Sequence, residues 1–595
     1  MCRIAGIINN QLQPQLIQER VKAMCKALQH GGPDDEGVFY DEKKHLAFGH
    51  RRLSIIDLSH NGHQPMADAG QKAWITFNGE IYNYLELRDE LLKYGAKFNS
   101  VTDTEVIIAA YLQWGIDAFA KFRGMFAFAL FDSLKGLTYL VRDTAGIKPV
   151  YYLAEDGQLS FASETRAFTA AGIYTEKDTN WPIRLLAFGH IPEPYTTLKN
   201  VYSLPKGHYL CWNHASSSHV IKPYKQTALK NQITNIDEAR QLIKNALIKG
   251  VNRQLIADAP LGVFLSGGID SSLITLLADK EKKEQLKTIS IFFNEKNYDE
   301  QAYQRLVLDK VSGQNFSHLV RQQDFETFFP QIINAMDMPT TDGINSWFIS
   351  KYAHEDGLKA VLSGVGADEY FGGYPSFSRI RHLGYLRKLP PFLFSAIKGI
   401  LPDQYKKLTF LANNHSIADY LLLRGLFSPV DIARAVDADD KQVRDVLFNS
   451  FDIPDLGPYD HEHASWFEAN LYMQNQLLRD TDVMSMNHGL EVRVPFLDED
   501  FTGAVESIAP EIRFNNRQPK KLLVDSFDGL LPASIWNRPK MGFSFPLQQW
   551  MSQNNLICNS SLYRSKMAQN TIKKFKNNQV HWSKAFALYQ IQAHV

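Results

Sequence analysis

Apolar and polar positions follow two different rhythms along this chain. Over the first two hundred residues, short aromatic and β-branched runs at 72–77, 125–131 and 137–141 have strand length and end at turn residues. Apolar residues at helical spacing recur over 14–28 and 84–94. Together they predict an α+β N-terminal domain, an antiparallel sheet sandwich with helices. Pro192, Pro194, Pro205, Gly207 and the polar stretch 213–218 interrupt this texture and predict a connection. From Ile236 a helix leads into an apolar strand at 261–265, and buried strands follow at 288–293 and 359–362 with helices between. That order predicts an α/β C-terminal domain, a parallel doubly wound sheet with many helices. The boundaries expected are 1–205 for the first domain, 206–235 for the connecting segment and 236–595 for the second.

Composition narrows the partners. A chain of 595 residues exceeds what one hydrophobic core supports, which agrees with two domains. Lys+Arg and Asp+Glu each number 64, so the basic excess of a polyanion binder is missing and nucleic acid is not expected. The apolar stretches near 390–401 and 420–423 are far shorter than the roughly 20 residues that span a bilayer. Residues 1–9 lack the apolar core of a signal peptide, so a cytoplasmic, membrane-free protein is expected. The cysteines Cys2, Cys25, Cys211 and Cys558 form no C-x-x-C pair, which argues against a disulfide framework and against a structural zinc site.

Two constellations carry chemistry. Ser266-Gly267-Gly268-Ile269-Asp270-Ser271-Ser272 follows an apolar strand and precedes a helix. Its glycines permit a tight turn, and free N–H groups at a helix start bind anions. Asp270 is placed to hold a hard cation bridging phosphates. No G-K-[ST] follows, so this is not a Walker A loop. It resembles the pyrophosphate loop of enzymes that cleave ATP between its α- and β-phosphates. Ser363-Gly364-Val365-Gly366-Ala367-Asp368-Glu369 ends a second strand. Ligands of parallel sheets sit at such ends, so Asp270 and Asp368 are expected to share Mg²⁺.

The second constellation starts at Cys2, which becomes N-terminal once Met1 is removed. A free α-amino group, with pKa near ~8, then serves as base for its own thiol. Arg52 suits bidentate capture of an α-carboxylate. The Asn78 amide and the Gly79 N–H suit an oxyanion hole. Glu80 and Asp103 supply carboxylates for an α-ammonium group. As a set they would recognise a free amino acid and cleave its side-chain amide.

These residues, with Gly32-Pro33-Asp34, Arg142-Asp143, Gly146-Ile147-Lys148-Pro149, Leu478-Arg479-Asp480-Thr481-Asp482 and Leu490-Glu491-Val492-Arg493-Val494-Pro495, resemble the glutamine-hydrolysing asparagine synthetases over nearly the whole chain. The resemblance implies an N-terminal-nucleophile glutaminase joined to an ATP-pyrophosphatase-type synthetase by an internal ammonia tunnel. It implies Cys2 as nucleophile with Asn78 and Gly79 as oxyanion donors. Arg52, Leu53, Ser54, Ile55, Ile56, Asn78, Gly79, Glu80 and Asp103 would form the glutamine site. ATP would lie near Phe264, Ser266, Gly267, Gly268, Asp270, Ser271, Ser272, Ile291, Ser363 and Gly364. Lys540 would be a catalytic cation near the acyl-adenylate and phosphates, with Mg²⁺ on Asp270 and Asp368. The partners implied are glutamine, ATP and a carboxylic acid, and a homodimer is the assembly considered.

Two positions depart from the family. Gly31 stands for an arginine, and Val365 for a glutamate that serves aspartate activation. Valine neither accepts a proton nor coordinates a metal. The resemblance implies L-asparagine from L-aspartate as the default product, with AMP and pyrophosphate. The alternative is a paralogue amidating another carboxylate, a sugar acid of a surface polysaccharide or a peptide-like metabolite. A non-enzymatic scaffold would not need Cys2, Asp270, Asp368 and Lys540 together. Phosphoribosyl transfer would share the first domain without requiring residues 266–272.

Overall fold

Strand Gly124–Asp132 explains the layering of the first domain. Its Phe126, Phe128 and Leu130 pack with Val106 and Ile107 of helix Asp103–Trp114. The alternate Ala127, Ala129 and Phe131 pack with Ile4 and Phe48 of a second sheet. A strand covered on both faces has no solvated side, which is why this run is continuously apolar. The computed structural model describes residues 2–173, 176–225, 232–396, 402–449, 451, 453–514 and 518–594. Met1 and residues 226–231 of the expected connector lie outside the described residues.

Two six-stranded antiparallel sheets face each other across that shared core. In the first, Arg3–Asn9 lies between Gln158–Ala162 and Leu46–Arg52, the latter also pairing with Asp35–Asp41. In the second, Gly124–Asp132 lies between Ala73–Ile81 and Leu137–Arg142. Helix Pro14–Ala27 covers the outer face of the first sheet through Ile17, Val21 and Met24, against Ala5 and Ile7. The result is helix, sheet, sheet, helix.

One boundary moves. His208–Asn213 pairs with Leu137–Arg142 and with Ser218–Pro223, so much of the stretch read as a connecting segment from 206 belongs to the second sheet. The polar run at 213–218 is a hairpin turn, and the outer strand Ser218–Pro223 is largely exposed. An exposed edge strand carries polar residues and reads as loop.

The second domain holds five parallel strands in the order Gln314–Leu319, Lys287–Phe292, Leu261–Phe264, Ala360–Leu362, Glu491–Arg493. Helices surround this sheet and make up most of the remaining chain. Among the described residues no helix is long and apolar enough to cross a membrane.

The domains meet through two kinds of contact. Leu53, Ile55, Tyr82, Met125 and Ile147 of the first share one apolar cluster with Met486, Val494 and Leu497 of the second, and Val365 packs against it. Beside it, fully buried Arg3 donates to Glu164 at 2.7 Å and to Asp482 at 2.8 Å, and Lys148 Nζ lies 3.2 Å from the same Asp482. Gly31 stands against Arg3, and a Cβ there would come within 2.7 Å of Arg3 Cγ. A guanidinium therefore does lie beside residue 31, contributed by Arg3 and engaged with Glu164.

Candidate active sites

Cys2 directly precedes the strand Arg3–Asn9 and is buried beside Asn78. Its backbone N–H donates to Asn78 Oδ1 at 3.2 Å, and its Sγ lies 3.9 Å from the Leu53 carbonyl oxygen. Burial pushes the thiol up to about 11. It keeps its proton at neutral pH, so thiolate chemistry here needs an adjacent base. With Oδ1 engaged, Asn78 Nδ2 is buried without a hydrogen-bond partner among the described residues. An unpartnered buried donor costs about 1–3 kcal/mol unless a ligand or water completes it. It is a ready donor for an oxyanion beside the sulfur.

Gly79 supports this arrangement through its backbone. Its φ of 149° is disfavoured for side-chain-bearing residues, and a Cβ would meet the Met125 carbonyl at 2.1 Å. Gly79→Ala is expected to destabilise the protein by about 3 kcal/mol or more. Thermal melting reads this out, and an unchanged melting temperature would refute it.

Around this pair stand the other expected residues. The Arg52 guanidinium donates to the carbonyls of Ser59, at 2.8 Å, and Asp57. Glu80 is buried with Oε2 unpartnered among the described residues and Oε1 3.7 Å from Arg493 of the second domain. Burial, with Glu491 and Asp103 nearby, raises its carboxyl well above the usual range. Asp103 accepts from Ile81 N at 2.9 Å, and burial lifts it to about 6. Both carboxyls would gain from a cation between them. Leu53 and Ile55 turn their side chains into the interdomain cluster. Ser54 N donates to Asp34 at 2.8 Å, and Ile56 packs against the core around helix Asp103–Trp114.

In the second domain, the strands Leu261–Phe264 and Ala360–Leu362 are adjacent and parallel, so their carboxyl ends open side by side. A cavity of about 1480 Å³ lies there, lined by Phe264, Ser266, Gly268, Asp270, Ser271, Ser363, Gly364, Val365, Asp368 and Lys540 among others. Gly267, Ser272 and Ile291, also expected near ATP, are not among its lining residues. The Ser266 and Ser271 hydroxyls lie 2.9 Å apart and hold the glycine turn. Gly364 brings the loops together, since a Cβ there would lie 2.9 Å from Asp270 Cβ and from Ser271 N.

Lys520, absent from the expected site, joins the two loops. Its Nζ lies 2.5 Å from both Asp270 Oδ2 and Asp368 Oδ1, and Lys540 reaches Asp368 at 2.7 Å. Against the desolvation of burial, these lysines hold the Asp368 carboxyl at about 2. Asp270 Oδ1 is buried without a hydrogen-bond partner among the described residues. Two converging carboxylates, one with a spare oxygen, suit a hard divalent cation. Arg538 fastens the glycine loop, donating to Gly267 O at 3.1 Å and to Glu300 at 2.6 Å. Lys520 and Arg538 lie in polar stretches where a solvated lysine or arginine is the ordinary reading, so pattern gave no signal for either.

Val365 lines the same cavity, as does Glu369. Glu369 accepts from Tyr374 Oη at 2.8 Å, keeps Oε2 unpartnered among the described residues, and is lifted by burial and the Asp368 charge to about 7.

A family model described as asparagine synthase matches residues 242–574, and one described as a glutamine amidotransferase domain matches residues 1–225. The chain is 32% identical over 563 residues to glutamine-hydrolysing asparagine synthetase 1 of Bacillus subtilis, covering 93% of this chain and 88% of that protein. It is 34% identical over 481 residues to a putative glutamine-hydrolysing asparagine synthetase 2 of Methanocaldococcus jannaschii, covering 77% and 91%. To amidase chry2 of Gibberella zeae it is 26% identical over 610 residues, covering 90% and 86%.

Proposed function

Because this chain belongs to the glutamine-hydrolysing asparagine synthetase family, we propose that it moves the amide nitrogen of glutamine onto a carboxylate activated by ATP. The observation that carries this reading is the pairing of two unlike sites. Cys2 and Asn78 form one, and the Asp270, Asp368, Lys520 and Lys540 cluster forms the other.

In the glutaminase half, the Cys2 amine, freed by removal of Met1, takes the thiol proton and Sγ attacks the glutamine amide. Asn78 Nδ2 and the Gly79 N–H hold the developing oxyanion. Ammonia leaves, and water hydrolyses the thioester. Arg52 holds the substrate carboxylate, while Glu80 and Asp103 face its ammonium group. The apolar cluster that joins Leu53 and Met125 to Val494 and Val365 supports passage of neutral ammonia between the sites.

In the synthetase half, the acceptor carboxylate attacks the α-phosphorus of ATP, giving an acyl-adenylate and pyrophosphate, and ammonia displaces AMP. Mg²⁺ held by Asp270 and Asp368 would neutralise charge on the departing pyrophosphate. Lys520 and Lys540 add positive charge on the same side, and the 266–272 turn cradles the phosphates.

Val365 favours an acceptor other than aspartate. A missing charged group in a buried catalytic site costs about 10²–10⁴-fold in rate. With glutamine, ATP and a panel of carboxylic acids, AMP release is expected to be at least about 10²-fold slower with aspartate than with the preferred acid. Aspartate turnover of roughly 1 s⁻¹ or more would overturn this and restore plain asparagine synthesis, with Glu369 then standing in for the glutamate.

A further inference from the structure

We propose that Asp35, His60 and His63 form a binding site for a divalent transition metal of the zinc class, and that the ion ties the loop behind Arg52 to the neighbouring strand. One ligand atom from each of the three lies within 4.8 Å of the other two. His63 Nδ1 and Asp35 Oδ2 are 2.7 Å apart, and the two imidazoles stack with centroids 5.0 Å apart.

Each ligand has a defined support. Asp35 begins the strand Asp35–Asp41 and lies directly across from Arg52 in the antiparallel register. The His63 ring rests on Gly37, where a Cβ would come within 2.8 Å of ring atom Cε1. The next residue, Gln64, is anchored in turn, accepting from Phe77 N at 2.7 Å and donating to Thr104 at 3.2 Å. His60 opens the short turn His60–Gly62 and is exposed, so it can rotate and admit a water ligand.

Two imidazoles, a carboxylate and water make a common zinc donor set, at metal–ligand distances of about 2.0–2.2 Å. Tetrahedral geometry then puts donors about 3.3 Å apart, so the His63–Asp35 pair opens slightly from 2.7 Å and rotation of the exposed His60 ring brings its nitrogen in. A simple ion pair would account for His63 and Asp35 and leave the stacked His60 without a role.

The loop bearing both histidines also supplies the carbonyls of Asp57 and Ser59 that accept from Arg52. A Cβ on Gly62 of that loop would meet the guanidinium at 1.9 Å. The ion therefore fixes the cradle of Arg52. This consequence rests on Arg52 as a glutamine ligand, whereas the site itself does not.

The test uses chelator-stripped, full-length Cys2→Ala protein, so that the glutaminase thiol is not a competing ligand. Calorimetric titration with zinc chloride is expected to show one ion per chain in the micromolar range or tighter. His60→Ala and Asp35→Asn should each weaken binding by about tenfold or more. His382→Ala, exposed and remote in sequence, should not. Zinc should also slow amide exchange over residues 57–63. Absence of stoichiometric binding, or equal binding by the His60→Ala and Asp35→Asn proteins, would overturn the site. Binding without slowed exchange would overturn its role as a tie.

Discussion

Cys2→Ala is expected to lower glutamine hydrolysis by about 10⁴-fold or more, while amide formation from added ammonium salts stays within about twofold of the wild type. The thiol is the group that would bond to the amide carbon, and Asn78 and Gly79 have nothing to stabilise without it. The substitution removes one small atom from a buried position and leaves the N–H that donates to Asn78. None of the residues grouped at Asp270, Asp368, Lys520 and Lys540 contacts it. The measurement is paired: glutamate released from glutamine, and AMP released with ammonium chloride. Loss of both activities in a folded protein would show that the division of labour is wrong.

Asp270→Asn is the mirror experiment. Amide formation should fall by about 10²–10³-fold with either nitrogen donor, and glutamine hydrolysis should persist in part. Asp270 offers the spare oxygen to a cation and half of the charge that positions Lys520. The amide keeps the shape and loses both services. In the variant Lys520 relaxes toward Asp368, its remaining partner. Activity retained with ammonium salts would remove Asp270 from the phosphate machinery. Wild-type release of ADP and phosphate, in place of AMP and pyrophosphate, would overturn the activation chemistry itself.

Much of this arrangement was legible before any coordinates. The runs at 72–77, 125–131 and 137–141 announced themselves by their dense aromatic and β-branched residues, and the strands found there, Ala73–Ile81, Gly124–Asp132 and Leu137–Arg142, are buried along most of their length. The loop at 266–272 stood out because glycines and serines follow an apolar strand in close order, and Ser266, Gly268, Asp270 and Ser271 of that loop line the cavity at the strand ends. Other parts were silent for equally physical reasons. Gln314–Leu319 is a half-exposed edge strand, and Glu491–Arg493 has three residues, too few for any periodicity. Lys520 enters the site through a left-handed backbone, φ 59°, after a polar stretch. Nothing local distinguishes it from a surface lysine, because its two partners lie 250 and 152 positions away in the chain. Gly31 looked like a lost arginine until Arg3 was seen lying across it.

The buried ions at the domain boundary have a consequence for modularity. Point substitutions are expected to separate the two chemistries cleanly, yet cutting the chain between the domains would not. A fragment ending near residue 225 would carry Arg3 and Lys148 without Asp482, and the complementary fragment would carry Asp482 without either. Cutting would break the ion pairs to Asp482 and open their charges to water, and each fragment would also bare half of the apolar cluster around Ile55 and Leu497, at about 25 cal/mol per Å² of apolar surface exposed. Both pieces would be poor candidates for separate expression, domain swapping or recombination with a different partner domain. The unit that can be inherited or engineered intact is the pair.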